Sequence, residues 1–99
     1  MFSIEYAESV ADDLNDLRAF DRTRLLDRID RQLSSEPTRQ TRNQKIVIGL
    51  QAPWDHEEPL WQLRIDEFRV FYDVDEAGKR VIVRAIRRKP PHKTTEEIL

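Results

Sequence analysis

Arginine recurs through the segment from Trp61 to Pro90, WQLRIDEFRVFYDVDEAGKRVIVRAIRRKP, where apolar and polar residues alternate as in β-strands. A planar guanidinium group can contact a phosphate at two points, and fixed guanidinium groups stabilise charge that develops on phosphoryl oxygens. Residues Lys79 to Lys93 include seven bases and no acid. These residue types predict a site for a phosphate-containing ligand.

Strand parity predicts that these arginines converge on one face of a sheet. Alternate side chains of a strand share a face, so Trp61, Leu63 and Ile65 are expected to face the core and Arg64 the other side. The same rule places Ile46, Ile48 and Leu50 on the core face. With helices covering the core face, the uncovered face is predicted to carry Lys45, Gln62, Arg64, Arg69, Phe71, Asp73, Ile82, Arg84, Ile86 and Arg88.

A second interpretation of the same arginines is purely structural. They could solvate the exposed face of the sheet, with Asp73 and Glu67 as cross-strand partners. Against this, most acids fall in the helices or loops, and convergent guanidinium groups repel one another unless an anion binds them. The aromatic Phe71 on that face is expected to pack beneath a loop or a terminal helix.

The order of elements predicts an α+β fold in one domain, residues 1–99. Periodicity indicates an N-terminal strand, a two-helix hairpin whose second helix is capped by Asp21 and stopped by Pro37, and then an antiparallel meander. The predicted strands cover residues 2–7, 45–50, 60–65, 68–74 and 80–86. A short helix capped by Thr94 or Thr95 is expected to end the chain.

The composition excludes several kinds of site. The chain has 99 residues, a net charge of −2 and no cysteine, which excludes disulfides, thiolate zinc sites and a cysteine nucleophile. No apolar run approaches the roughly 20 residues that cross a bilayer. We therefore expect a cytoplasmic protein with no metal, no cofactor and no membrane partner.

The chain resembles the RelE/ParE superfamily of bacterial toxins from type II toxin–antitoxin systems. The resemblance lies in the N-terminal strand and helical hairpin and in the segment LWQLRIDEFRVFYDVDEAGKRVIVRAIRRK. The resemblance covers nearly the whole chain, and this segment is its specific part. RelE-like members are ribosome-dependent endoribonucleases that cut mRNA, and ParE-like members inhibit DNA gyrase. The resemblance therefore implies a cognate antitoxin as partner, with mRNA on the ribosome as the favoured target and gyrase as the alternative.

The resemblance also implies catalytic roles. Arg69 stands where the family holds the scissile phosphate, Arg88 where a second arginine helps the charged transition state, and Arg64 where lysine or arginine is found. Gln62 departs from the lysine that is usual in the ribonuclease branch. The predicted RNA contacts are Lys45, Gln62, Arg84, Arg87 and Lys89.

The candidate general base is a histidine. His92 is the only candidate near the basic tripeptide, and it could equally be an exposed loop residue. His56 is surrounded by acids, and two histidines 36 positions apart do not indicate a metal site. Three functions remain open: an mRNA endonuclease, a non-nucleolytic toxin that binds a protein target, and a binding module for an acidic partner.

Overall fold

The computed structural model describes all residues from Met1 to Leu99. The chain contains five strands and three helices in the predicted order. They are β1 (Ser3–Tyr6), α1 (Val10–Asn15), α2 (Ala19–Ser35), β2 (Gln44–Val47), β3 (Leu60–Ile65), β4 (Phe68–Asp75), β5 (Arg80–Arg88) and α3 (Thr95–Ile98). The predicted α+β class is confirmed.

All five strands form one sheet in the order β1-β5-β4-β3-β2. Strands β2 to β5 pair antiparallel, as the short connections between β3, β4 and β5 predict, whereas β1 runs parallel to β5. A parallel neighbour requires a long crossover, which α1, α2 and β2 to β4 supply. The N-terminal strand thus lies at one edge of the sheet and β2 at the other.

Helix α2 covers one face of the sheet with an apolar stripe. Leu25, Ile29 and Leu33 recur at helical spacing and are buried against Trp61 and Tyr72 in the main core. The helix begins at Ala19, after Arg18, so the prediction of Asp21 as its N-cap is wrong. Asp21 lies in the first turn, where its negative charge interacts favourably with the positive end of the helix dipole.

Strand β2 is shorter than predicted. It ends at Val47, which pairs with Leu60, the first residue of β3, and Gly49 then adopts a positive φ of 78°. Ile48 is 87% exposed, so its predicted place in the core is wrong. Ile46 packs against the main core as expected.

A β-bulge in β5 reverses the parity of the residues that follow it. Tyr72 pairs with Val83 but Phe71 pairs with Ala85, so Arg84 is an extra residue on β5. Before the bulge the predicted faces hold. After it, Ile86 enters the main core, which contradicts its predicted place on the uncovered face.

The face opposite α2, which we call the open face, is partly covered by a second apolar cluster. Phe71, Leu60 and Ala85 are buried there beneath Trp54 of the loop after β2 and beneath Ile98 and Leu99 of the C-terminal segment. The Trp54 and Phe71 ring centroids are 5.5 Å apart. Phe71 therefore packs under a loop and a terminal helix, as predicted.

The C-terminal helix that contributes to this cover begins with a capping box. The Thr94 side chain accepts a hydrogen bond from the Glu97 amide, and the Glu97 side chain accepts one from the Thr94 amide. This pattern identifies Thr94 as the cap, and Ile98 then reaches the second cluster. No helix in the chain is both long and apolar enough to cross a membrane.

Tyr72 fastens the end of α2 to the sheet, and its replacement provides a test of this packing. The buried hydroxyl donates a hydrogen bond of 2.7 Å to the Pro37 carbonyl. Tyr72→Phe should lower the free energy of unfolding by about 1 kcal/mol at neutral pH, measured by urea titration, because one hydrogen bond is lost.

The same variant should change the dependence of stability on alkaline pH. Burial raises the pKa of Tyr72 above its ordinary value, so the folded chain keeps a proton that the unfolded chain releases. Wild-type stability should therefore fall above pH ~10 by up to about 1.4 kcal/mol per pH unit more than that of Tyr72→Phe. Parallel curves for the two proteins would contradict this account.

Candidate nucleic-acid interface

A strongly basic cavity, which we call the basic pocket, lies on the open face next to the second cluster. Its volume is about 290 Å³, and its wall is formed by Arg42, Asn43, Lys45, Gln62, Arg64, Arg69, Lys89 and Thr95. Five of these residues are cations, and none is acidic or hydrophobic. A cavity with this lining attracts anions and offers little to an apolar ligand.

The pairing of strands places these side chains together. Lys45 of β2 lies opposite Gln62 of β3, and Arg64 of β3 lies opposite Arg69 of β4. Like charges directly across a strand pair destabilise a sheet. The Arg64 and Arg69 pair therefore has an energetic cost that a bound anion would offset.

Arg69 is held so that half of its guanidinium group remains available. Its side chain is buried, with 7% of the residue exposed, and Nη1 donates to the carbonyls of Asp66 at 3.0 Å and Phe68 at 2.9 Å. Nε and Nη2 make no hydrogen bond within the protein. These two groups form the edge of the guanidinium that binds a phosphate at two points.

The pKa of Arg69 reflects its burial and its lack of an acidic partner. Burial, and after it the charge of Arg64, lower the pKa of Arg69 below its ordinary value. Arginine nevertheless stays charged in proteins, so the pocket holds a partly desolvated cation beside a second one. Both effects would be relieved by an anion between the two side chains.

Ion pairs neutralise the arginines elsewhere on the sheet but not those of the pocket. Arg84 Nε lies 2.7 Å from Asp73 Oδ2, and Arg87 Nη1 lies 3.0 Å from Asp13 Oδ2. None of the five pocket cations forms an ion pair. The structural interpretation of the arginines therefore fits Arg84 and Arg87, whereas the ligand-binding interpretation fits the pocket.

Arg88 does not reach the open face, and the prediction that placed it there is wrong. The bulge at Arg84 shifts the register, so Arg88 pairs with Phe68, whose ring belongs to the main core. Its guanidinium lies 5.0 Å from the centre of that ring, and Nη1 forms an ion pair of 3.1 Å with Glu67. In this position Arg88 does not line the basic pocket with Arg69.

Lys89 takes the place that parity without a bulge assigns to Arg88. Its amide donates to the Glu67 carbonyl at 2.6 Å, which continues the β4–β5 ladder by one residue. The side chain then lines the basic pocket together with Arg69. The predicted RNA contacts Lys45, Gln62 and Lys89 and the predicted catalytic residues Arg64 and Arg69 thus meet in one cavity.

The remaining predicted site residues lie outside the pocket. Arg84 is on the open face but is bonded to Asp73, and Arg87 is turned to Asp13 at the edge of β5. His92 is exposed in the turn before α3 and does not line the pocket. His56 lies against Trp54, with ring centroids 5.6 Å apart, and its Nε2 is 3.1 Å from Glu58.

Arg42, Asn43 and Thr95 line the pocket although the sequence analysis did not select them. The first two form the tip of a tight turn closed by mutual hydrogen bonds between Thr41 and Gln44. The Arg64 amide then donates to the Asn43 carbonyl at 2.7 Å, which brings the tip against β3. The polar run TRNQ, which leads into β2, is a turn signal that predicts the turn but not its position against the pocket.

No group of three or more His, Asp or Glu side chains is arranged to hold a metal ion. The donors that line the basic pocket are cations and neutral polar groups, which suit an anion.

Comparison with solved structures places this architecture among known folds. The isolated RelE toxin of Escherichia coli superimposes with a TM-score of 0.68 at 15% identity, over 98% of this chain and 94% of that one. The chain has the RelE fold. No protein-family model and no curated protein sequence matches it.

Chains from two RelE–RelB complexes show the same likeness. One, from the archaeal complex of Pyrococcus horikoshii, has a TM-score of 0.68 at 21% identity, covering 94% of this chain and 98% of that one. The other, from the toxin–antitoxin complex RelBE2 of Mycobacterium tuberculosis, has a TM-score of 0.67 at 16% identity, covering 89% and 98%. The predicted resemblance is therefore confirmed for the fold.

The register shift generates a direct test of the pocket. Lys89→Ala should weaken the binding of a short single-stranded oligonucleotide and reduce the slope of log affinity against log salt by about 0.7, because one phosphate contact is lost. Arg88→Ala should leave affinity and slope unchanged, because that side chain lies on the other face. Fluorescence anisotropy across a salt series measures both, and a larger loss with Arg88→Ala would contradict the register.

Proposed function

We propose that this chain is the toxin of a type II toxin–antitoxin pair and that it cleaves mRNA on the ribosome. The observation that carries the proposal is the basic pocket, where five cations without an ion pair meet on a RelE fold. A binding module for an acidic protein would not need the two free donors of a buried Arg69. Their geometry suits a phosphate oxygen pair.

The proposed reaction is attack of a ribose 2′-oxygen on the adjacent phosphorus. A new oxygen–phosphorus bond forms as the 2′-hydroxyl loses its proton, and the bond to the 5′-oxygen of the next nucleotide breaks as that oxygen takes up a proton. The products are a cyclic phosphate and a 5′-hydroxyl. Arg69 would bind the non-bridging oxygens through Nε and Nη2, while Arg64 and Lys89 add charge from either side. Fixed donors of this kind stabilise the negative charge of the transition state.

The reaction also needs a group that accepts the proton of the 2′-hydroxyl. Its lining contains no histidine and no carboxylate, and Gln62 cannot accept a full proton. The proton of the 2′-hydroxyl must therefore pass to a lysine of this lining, Lys45 or Lys89, or to a group outside it. Outside the lining, His92, three residues beyond Lys89, remains the candidate within the chain, and a group of the ribosome is the alternative.

The absence of a histidine and of a carboxylate among the pocket residues also favours a second candidate, a ParE-like toxin that inhibits DNA gyrase. In that case the basic pocket would bind an anionic surface without breaking a bond. The two candidates differ in what accumulates during growth arrest: new mRNA 5′ ends for the nuclease, and DNA trapped with gyrase for the inhibitor.

A cognate antitoxin is part of the proposal. The structural neighbours from Pyrococcus and Mycobacterium are complexes with such a protein. Here, Phe20 on α2 is 73% exposed and Ile48 beside the edge strand β2 is 87% exposed. An acidic and partly apolar segment that folds on binding could cover these side chains and the basic pocket together.

Arg69 is the residue on which the nuclease proposal depends. Arg69→Ala should abolish growth arrest and the appearance of new mRNA 5′ ends, with a fall in cleavage rate of about 10²- to 10³-fold, because a preorganised donor is lost. Arg69→Lys should retain part of the activity, since it keeps the charge but not the two-point geometry. Mapping of 5′ ends after induction measures both effects.

Controls separate chemistry from folding. Because Arg69 also braces the turn after β3, thermal unfolding of each variant must show a folded chain. Arg31→Ala, which removes an arginine paired with Asp27 on the surface of α2, should leave the arrest unchanged. Full arrest by the double variant Arg64→Ala and Arg69→Ala would overturn the nuclease proposal and move gyrase inhibition to first place.

A further inference from the structure

Gln62 is a buried amide that the protein leaves without a partner. Only 6% of the residue is exposed, it lines the basic pocket, and its Oε1 atom is buried without a hydrogen bond. Elsewhere the buried amide of Gln44 is fully used, with Nε2 bonded to Glu36 and Oε1 to Gln32. An unpaired buried carbonyl oxygen costs stability, so Gln62 contributes something other than packing.

The neighbours of Gln62 show why an amide differs from any other side chain at this position. Across the sheet it lies between Lys45 on β2 and the apolar Phe71 on β4. The five cations of the pocket can only donate hydrogen bonds. Oε1 is fully buried in this structure, so it is rotation of the Gln62 amide that would present an acceptor to a cavity whose charged groups are all donors.

When an anion is bound in the pocket, the amide oxygen of Gln62 is free to accept a hydrogen bond from a neutral group. The guanidinium and ammonium groups turn to the anion, so they no longer compete for the amide oxygen. Rotation about the last side-chain bond exchanges the amide oxygen and nitrogen without displacing the rest of the side chain. The oxygen can then meet a hydroxyl or amine that belongs to the same ligand as the anion.

We propose that Gln62 is a specificity residue that accepts a hydrogen bond from the ribose 2′-hydroxyl beside the bound phosphate. This inference rests on the proposed function, in which the anion is a phosphate of RNA. The 2′-hydroxyl is the donor that RNA carries next to each phosphate and that DNA lacks. The pocket would thus select RNA by a single neutral contact, while its cations bind any nucleic acid.

The contact acts on binding and not on proton transfer. A hydroxyl that donates to Gln62 has its oxygen held close to the phosphate that Arg64 and Arg69 bind. The amide takes up no proton during the reaction, so the bond orients the hydroxyl in the bound state and breaks when the hydroxyl proton is transferred. Gln62 differs in this respect from Lys45 and Lys89, which contribute charge.

The test compares binding of three labelled oligonucleotides of one sequence and about eight nucleotides: RNA, DNA and 2′-O-methyl RNA. Fluorescence anisotropy should show that the wild-type chain binds RNA about tenfold more tightly than the other two, since an acceptor left unpaired loses about that factor. Gln62→Met keeps the unbranched shape but removes the acceptor. It should weaken RNA binding to the level of DNA and leave DNA binding within twofold.

Two outcomes would overturn the assignment. If Gln62→Met weakens RNA and DNA equally, the amide binds the phosphate and reads no hydroxyl. If it changes neither, a neighbouring cation satisfies the oxygen. Gln40→Met, at an exposed glutamine without hydrogen bonds, is the matched control and should behave as wild type. A gel confirms that the RNA stays intact during the measurement.

The same experiment separates this inference from the proposed function. Loss of all binding in the variant Arg64→Ala with Arg69→Ala shows that the pocket is the anion site. A tenfold preference for RNA that depends on Gln62, found together with intact mRNA in arrested cells, would reject the nuclease and keep the specificity residue. If mRNA is cleaved in cells but the preference for RNA does not depend on Gln62, the nuclease proposal is kept and the role of Gln62 as specificity residue is rejected.

Discussion

The pairing of β3 with β4 is the constraint on which the candidate site depends. It sets Arg64 opposite Arg69, and the carbonyls of Asp66 in the tight turn and of Phe68 at the start of β4 hold Arg69 Nη1. The guanidinium is consequently fixed before any ligand arrives, with Nε and Nη2 free. Preorganisation of this kind has a cost in the unbound protein and lowers the cost of binding, because little conformational freedom remains to be lost.

Elsewhere on the sheet the charges are paired or covered, so the unpaired positive charge is confined to the basic pocket. The loop after β2 and helix α3 cover the apolar half of the open face, and acids neutralise Arg84, Arg87 and Arg88 one by one. The cations without carboxylate partners are thereby gathered at one end of the face. A chain with a net charge of −2 can in this way present a strongly basic cavity, since the local field depends on which charges are paired.

Stability and binding oppose each other within the pocket. The facing arginines, the desolvated Arg69 and the unpaired amide of Gln62 each weaken the folded state, and the large apolar core formed by α2 and the sheet compensates for them. Sites that bind or transform a ligand commonly hold such unfavourable groups, because the ligand supplies the missing partners.

The sequence by itself determined the order of elements, the core faces of β3 and β4, and the meeting of Arg64 and Arg69, because strand periodicity and short turns are local properties. It also indicated the cover over Phe71. Only the tertiary structure decided that Lys89 and not Arg88 enters the pocket, since one extra residue at Arg84 reverses parity and is visible only in the pairing of two strands. The same holds for Arg42 and Asn43, which a backbone contact with Arg64 brings to the site, and for the ion pairs that remove Arg84 and Arg87 from it. Such contacts join residues far apart in the chain, so no local pattern encodes them.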